Sequence, residues 1–295
     1  MSWDDNPFKT QKDFDEYVYK LVDRGIIKPD SIDIDLLMEF LQDTREYYTF
    51  RYFMPLLSKN GINLFDYVST EIPVDFADRT SYPKNLRKIV LPEGVKIIRE
   101  GAFRYCQYRQ VIFPSSLEII EDGAFDGCNN LSKVDLSNTN CQIIHENAFS
   151  FCNVKVVLFS NTLKRIQRSA FYGYFDTGFL NKLEFPASLE DIGDNCFHSS
   201  FGGKSLEFNE GLKSIGSNAF NRSYNLSEVT LCTTLDNDTL DRIWDCRASY
   251  YIFKHCDNLK TIYCKSESQY NYLKSHQVPR QKYERISVPD IVLLK

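Results

Sequence analysis

The 295-residue sequence has no apolar run near the roughly 20 residues that a membrane-spanning helix needs, which argues against helical insertion into a bilayer. It also has little excess of charge. The 35 basic residues face 40 acidic ones, a net charge of −5, so no bulk field draws in a nucleic-acid backbone or an anionic membrane surface. None of the nine cysteines is spaced as CxxC, the four histidines are scattered, and GxSxG does not occur. The signatures of structural zinc, of a redox dithiol and of an α/β-hydrolase are therefore missing. Residues 1 to 70 hold neither His nor Cys, which leaves only carboxylates and tyrosines for acid–base work there. The first residues, Met1 to Asp5, are acidic where a secretory signal would be basic and then apolar. A cytoplasmic, reducing setting is the expectation, with the cysteines present as thiols.

What the sequence does have is a phrase that returns. Ala102-Phe103, Ala124-Phe125, Ala148-Phe149, Ala170-Phe171, Cys196-Phe197 and Ala219-Phe220 place Phe at steps of 22, 24, 22, 26 and 23 residues. A degenerate seventh copy at Phe253 follows after 33. Self-similarity at such a period marks a stacked-repeat architecture. Four residues before each Ala, or before Cys196, stands an isoleucine (Ile98, Ile120, Ile144, Ile166, Ile192, Ile215). Three further back comes Val95, Leu117, Cys141, Leu163, Leu189 or Leu212, so every rung fills the same interior slots.

Upstream of those slots lie alternating stretches whose inward pairs run from Ile89/Leu91 through Val111/Phe113, Val134/Leu136, Val157/Phe159, Leu183/Phe185, Leu206/Phe208 and Val229/Leu231 to Ile262/Cys264. Eight parallel strands are expected. Pro92, Pro114 and Pro186 follow three of them, as suits a residue that cannot donate to a ladder. The residue before each Ala or Cys196 is Gly101, Gly123, Asn147, Ser169, Asn195 or Asn218, mostly types that accept a left-handed backbone, so a tight corner is expected there.

The combined phrase, L-xx-I-x-L-P-xx-L-xx-I-xxx-A-F-xx-C, resembles the BspA-like class of leucine-rich repeat over about residues 84 to 264. That resemblance implies a solenoid with a parallel β-sheet arc on one face and irregular turns on the other, used for protein recognition and tied to no common reaction. The copies depart from the phrase in two places. The third carries one extra residue near Thr139 to Cys141, and the seventh carries about ten between Leu235 and Phe253, a candidate functional loop.

Outside the repeats, residues 1–70 read as a small α-helical N-terminal domain. Thr10 and Asp13 resemble a capping box, Phe14, Val18, Leu21 and Val22 form one apolar face, and a second helix is expected near Ser31. Either a cap over the open end of the solenoid or a separate docking module fits this pattern. Residues 71–85 read as a linker, 86–264 as the repeats and 265–295 as a C-terminal cap. In that cap Ser266 to Ser275 suggests a helix with Tyr270 and Leu273 inward, and the stretch from Ile286 to Leu294 suggests a strand or turn.

Cys106, Cys128, Cys152 and Cys256 share one column with Tyr174, Ser200 and Ser223, three residues after the repeat Phe. Rungs about 5 Å apart make bridging conceivable, but small buried thiols are the simpler expectation. His255-Cys256 is too little for zinc. The string from His198 to Ser205 imitates a phosphate-binding loop yet runs into a strand rather than a helix, so a repeat turn is expected. Asp236, Asp238 and Asp241 offer oxygens without the glycine and glutamate of a calcium loop, which points to a helix N-terminus instead.

The informative surface is the strand face turned away from the core. Its central column reads Val90, Ile112, Asp135, Leu158, Glu184, Glu207, Thr230, Tyr263, and the column at the strand entries carries Arg87, Arg109, Lys155, Lys204 and Lys260. Candidate partner-binding residues are Val90, Ile112, Asp135, Leu158, Glu184, Glu207, Arg109, Lys155 and Tyr263. The expected function is a non-enzymatic scaffold binding a partner protein through the repeat surface, with no cofactor or metal, no nucleic acid and no membrane insertion. Two alternatives stand beside it: a cell-surface or secreted adhesin, and an enzyme or effector activity in the helical N-terminal domain.

Overall fold

The computed structural model describes residues 27–28, 31–32, 71–72, 88–173, 180–244, 251–276 and 289–294. The chain divides into two compact units, one of residues 1–64 with 80–82, the other of 65–79 with 83–295. In the first unit the described residues are β1 (Ile27–Lys28) and β2 (Ser31–Ile32), an antiparallel pair that matches Ile27 with Ile32. A strand thus stands where a second helix was expected to begin at Ser31. Pro29 and Asp30 separate the two strands, and a Pro-Asp pair suits a turn better than a helix interior. The rest of the expected helical domain lies outside the described residues.

In the second unit, a typical rung supplies two short strands. Chain order gives β3 (Glu71–Ile72), β4 (Lys88–Val90), β5 (Ile97–Ile98), β6 (Gln110–Ile112), β7 (Ile119–Ile120), β8 (Lys133–Asp135), β9 (Ile143–Ile144) and β10 (Val156–Leu158). It continues with β11 (Arg165–Ile166), β12 (Asp191–Ile192), β13 (Ser205–Glu207), β14 (Ser214–Ile215), β15 (Glu228–Leu231), β16 (Thr261–Cys264) and β17 (Asp290–Leu293). Among the described residues two helices interrupt it, α1 (Asn237–Trp244) and α2 (Glu267–His276). Among the described residues of this unit all pairings are parallel: β4-β6-β8-β10 form a front sheet, β13-β15-β16-β17 a C-terminal sheet, and β3-β5-β7-β9-β11-β12-β14 a flank sheet of seven strands.

The single run of eight strands is therefore corrected to two sheets of four. The break falls at Leu183 to Phe185, where Leu183 and Phe185 keep their buried side chains but the segment joins no strand. The step into this rung is the long one of 26 residues. Here the chain meets its neighbour earlier, through a lone bridge between Leu180 and Phe201, and the Phe185 carbonyl accepts from the Asn209 side-chain amide. The segment taken as a linker also proves to hold β3, which pairs with β5 and buries Ile72 completely, so the flank sheet starts one rung before residue 86.

The core is a column of rings. Phe103, Phe125, Phe149, Phe171, Phe197, Phe220 and Phe253 stack with successive centroids 5.0 to 5.9 Å apart, each at most 3% exposed. Offset stacking at that spacing adds to the burial of the rings themselves. The corners behave as the residue types require: Gly101, Gly123, Asn147, Ser169, Asn195 and Asn218 all have φ between 54° and 62°. A second left-handed column, Tyr105, Gly127, Phe151, Ser199, Arg222 and His255, follows four residues later in five of these rungs and recurs in the last one, the Ser169 rung lacking it. Successive corners are tied by backbone bonds, as from Gly101 to Asp122, Phe103 to Ala124 and Tyr105 to Asp126 (2.9, 2.7 and 2.7 Å). The solenoid therefore has hydrogen-bond ladders at its turns as well as in its sheets.

Candidate functional site

The front sheet takes its outward face from the strand alternation. In β4, β6, β8 and β10 the middle residues Ile89, Val111, Val134 and Val157 are buried and their neighbours point out. Register sets Val90 opposite Ile112 and Asp135 opposite Leu158, with Gln110 opposite Lys133 joining the two halves. Val90, Ile112, Asp135 and Leu158 thus form one row across four rungs. Val90 is 56% exposed, Val156 44% and Leu158 37%, while Ile112 and Asp135 are half-buried. Val156, on the same face as Leu158, adds an exposed apolar side chain that the central column of the sequence pattern does not contain.

Charges rim this row. Arg109 and Lys155 stand exposed at the strand entries, and Lys88 and Lys133 are exposed on the strands themselves. Lys133 pairs with Asp135 at 2.8 Å. Burial opposes ionisation of Asp135, but the hydrogen bonds from Lys133 and Ser137 outweigh it and hold the carboxyl below its ordinary value. Among the described residues Lys88, Arg109 and Lys155 have no ion pair. Arg87 lies outside the described residues.

The remaining candidates fall elsewhere. Glu207 and Tyr263 lie in register on the C-terminal sheet, with Thr230 between them and Val292 beyond. Glu207 pairs with Lys265 at 3.0 Å. Glu184 sits in the break, paired with Lys182 and part of neither sheet. The expected single acidic-to-apolar column is therefore two separate rows.

The other constellations resolve into packing. The Cys128, Cys152 and Cys256 thiols donate to the carbonyls of Phe103, Phe125 and Phe220, the ladder Phe of the preceding rung, at 3.0, 3.1 and 3.2 Å. Burial pushes the Cys256 thiol up to about 12 and raises those of Cys128 and Cys152, which keeps them protonated and unreactive. The turn from His198 to Ser205 runs into β13, with Phe201 fully buried against Phe220. Among the described residues no group of three or more His, Cys, Asp or Glu is arranged to hold a metal. No helix among them is long and apolar enough to cross a membrane.

The insertion after Leu235 has a structural task. Asp236 caps α1, its carboxylate accepting from the Thr239 amide at 2.7 Å. Thr239 Oγ1 then accepts from the Ile215 amide, and Arg242 Nε donates to the Ile215 carbonyl, both at 3.2 Å. Ile215 ends β14, the last strand of the flank sheet. Two side chains of α1 thus satisfy the backbone groups that a further strand would have paired. In α2, Leu273 is buried as expected, but Gln269 rather than Tyr270 is its buried partner, donating to the Cys232 carbonyl at 2.7 Å. The expected C-terminal strand is present as β17.

No functionally curated protein matches the chain in sequence. Among solved structures, a leucine-rich repeat protein from Bacteroides ovatus is similar at 18% identity and a TM-score of 0.37, over 67% of this chain and 59% of that one. The leucine-rich repeat protein of T. pallidum is similar at 20% identity and a TM-score of 0.40, over 66% of this chain and 85% of its own. A leucine-rich cell surface protein of Faecalibacterium prausnitzii follows at 17% identity and 0.36, over 64% and 63%. The match to the Bacteroides protein thus spans less than two thirds of that protein's length. The sequence profile of the BspA type leucine-rich repeat region fits residues 77–176 and 172–292 with six copies, reaching past both ends of the span read from the phrase. With its rungs, corners and buried Phe column in that pattern over most of its length, the chain belongs to the BspA-type leucine-rich repeat family.

Proposed function

We propose that this chain is a non-enzymatic recognition scaffold, working in a reducing cytoplasmic compartment, that binds a partner protein through the outward face of the front sheet. The observation that carries the reading is the exposure of Val90, Val156 and Leu158 on a face where one row crosses four hydrogen-bonded rungs. Apolar side chains held by a stacked sheet lose little further entropy on binding, so their burial converts efficiently into affinity. The compartment is supported by the thiol ladder. Cys128 and Cys152 each use the thiol proton as a donor to a rung carbonyl, and a disulfide would remove both donors.

The test is capture from the native host with the tagged full chain, partners being identified by mass spectrometry. Val90→Glu with Leu158→Glu should abolish capture and leave the melting temperature unchanged, because both side chains are solvent-facing in the uncomplexed protein. Glu207→Lys, on the other sheet, should leave it intact. Full capture by the double glutamate variant would move the interface off the front sheet. Recovery of the native protein outside the cell with its cysteine ladder oxidised would overturn the compartment.

A further inference from the structure

Beyond the choice of face, the charge around it has a sign. Counting the outward strand residues and the residue at each strand entry, the front sheet carries Lys88, Arg109, Lys133 and Lys155 against the single carboxylate of Asp135. The same positions of the C-terminal sheet carry Lys204 and Lys260 against Glu207, Glu228 and Asp290. The chain as a whole is acidic, at −5, so the basic rim is local and is not a sample of the average surface. Lys133 already has a partner in Asp135, which leaves three cations beside the apolar row without an ion pair among the described residues.

Resting on the reading above, we propose that the front sheet binds an acidic segment of a partner protein, one whose apolar residues lie on the exposed row while its carboxylates face Lys88, Arg109 and Lys155. Charge complementarity of this kind fixes orientation and speeds association, and the apolar row supplies the holding energy. The row crosses three rung spacings, about 14 Å at the usual strand separation, which an extended segment of four or five residues spans. A phosphate backbone matches the cations but leaves the apolar row covered by nothing complementary, so a peptide is the better fit.

Random twelve-residue peptides displayed on phage are selected on the full chain at low salt. The expected result is a set rich in Asp and Glu with interspersed Leu, Ile, Val or Phe. Binding of these peptides should weaken about tenfold or more on Arg109→Glu with Lys155→Glu, and steeply with added salt. It should also be lost on Leu158→Glu. Circular dichroism of each variant checks that the fold is kept. Peptides without acidic excess that are lost on Leu158→Glu alone would overturn the acidic partner and leave the front sheet as the interface. Peptides indifferent to both variants would overturn the choice of face as well. A thymidine oligonucleotide that binds as tightly as the selected peptides, and is weakened by the same charge reversal, would overturn the proposal in favour of a polyanion.

Discussion

The front sheet and the C-terminal sheet are built on the same interior and dressed differently outside. Ile89, Val111, Val134 and Val157 in one, and Leu206, Val229, Ile262 and Ile291 in the other, are each at most 5% exposed. Their outward rows read Val90, Ile112, Asp135, Leu158 against Glu207, Thr230, Tyr263, Val292. Stacking constrains the inward position of every rung because each fills a slot left by its neighbours, whereas nothing in the packing dictates the outward one. An outward row that exposes several apolar residues therefore marks a candidate partner surface. The two regions also end differently. The C-terminal sheet is buttressed by α2, which packs on β16, β17 and α1, with Tyr272 bonded to Asp241 at 2.7 Å.

The largest expected effect tests the interior that the two regions share. Phe149 is sandwiched between Phe125 and Phe171 at 5.1 and 5.2 Å, whereas Phe253 closes the ladder against Phe220 at 5.9 Å. Phe149→Ala should cost about 3–5 kcal/mol in urea unfolding, and Phe253→Ala should cost less. Equal costs would mean that the ladder does not couple neighbouring rungs. Next comes the end of the flank sheet. Thr239→Val leaves the Ile215 amide without its acceptor and should cost about 1–3 kcal/mol. Hydrogen exchange should speed up at Ile215 and stay slow at Ile144, in the middle of the same sheet. Unchanged protection at Ile215 would show that α1 does not close that edge.

These contrasts follow what the residues could and could not announce. The inward slots were legible because they recur at every rung, and so was the first left-handed corner, whose Gly, Asn and Ser are turn residues. The second corner was not, since Tyr105, Phe151 and Arg222 adopt φ of 59°, 55° and 62° under constraint from the stacked turns rather than by preference. The flank strands are two residues long, too short to show alternation. The break at Leu183 was hidden because the inward pair survives it. Of the candidate site, Val90, Ile112, Asp135 and Leu158 were legible as a row. That Glu184 and Glu207 leave it depends on where the sheet stops, which no single side chain encodes.

The C-terminal half also holds a pH-dependent element of its own, a buried histidine. His198 is buried, stacks on Tyr172 at 4.6 Å, and is pushed down to about 4 by burial and then by Arg222. The unfolded chain takes up this proton near the ordinary value of 6.5 and the folded chain does not, so acid favours unfolding. Stability should be full above about pH 6.5, fall towards pH 4, and lose nothing further from this group below that. His198→Phe should flatten the slope in that window. An unchanged slope would mean that another group carries it.

The smallest effect lies in the column beside the Phe ladder. In the front half, Cys128 and Cys152 reach the carbonyl of the preceding ladder Phe, as Cys256 does at the far end. Ser200 and Ser223 occupy the same column between them, and their hydroxyls are buried without a hydrogen-bond partner among the described residues. The C–S bond is longer than C–O, so a thiol spans to the neighbouring rung where a hydroxyl falls short. Ser223→Cys should therefore gain a donor to the Phe197 carbonyl and replace an unsatisfied buried hydroxyl with a small apolar group, raising stability by about 1 kcal/mol in the presence of reductant. The reverse change, Cys152→Ser, should lower it by a similar amount. If both substitutions prove neutral, the thiol bonds contribute nothing and the column is held by volume alone. If Ser223→Cys destabilises, the hydroxyl already has a partner that cysteine cannot serve, and the two halves of the column are not equivalent.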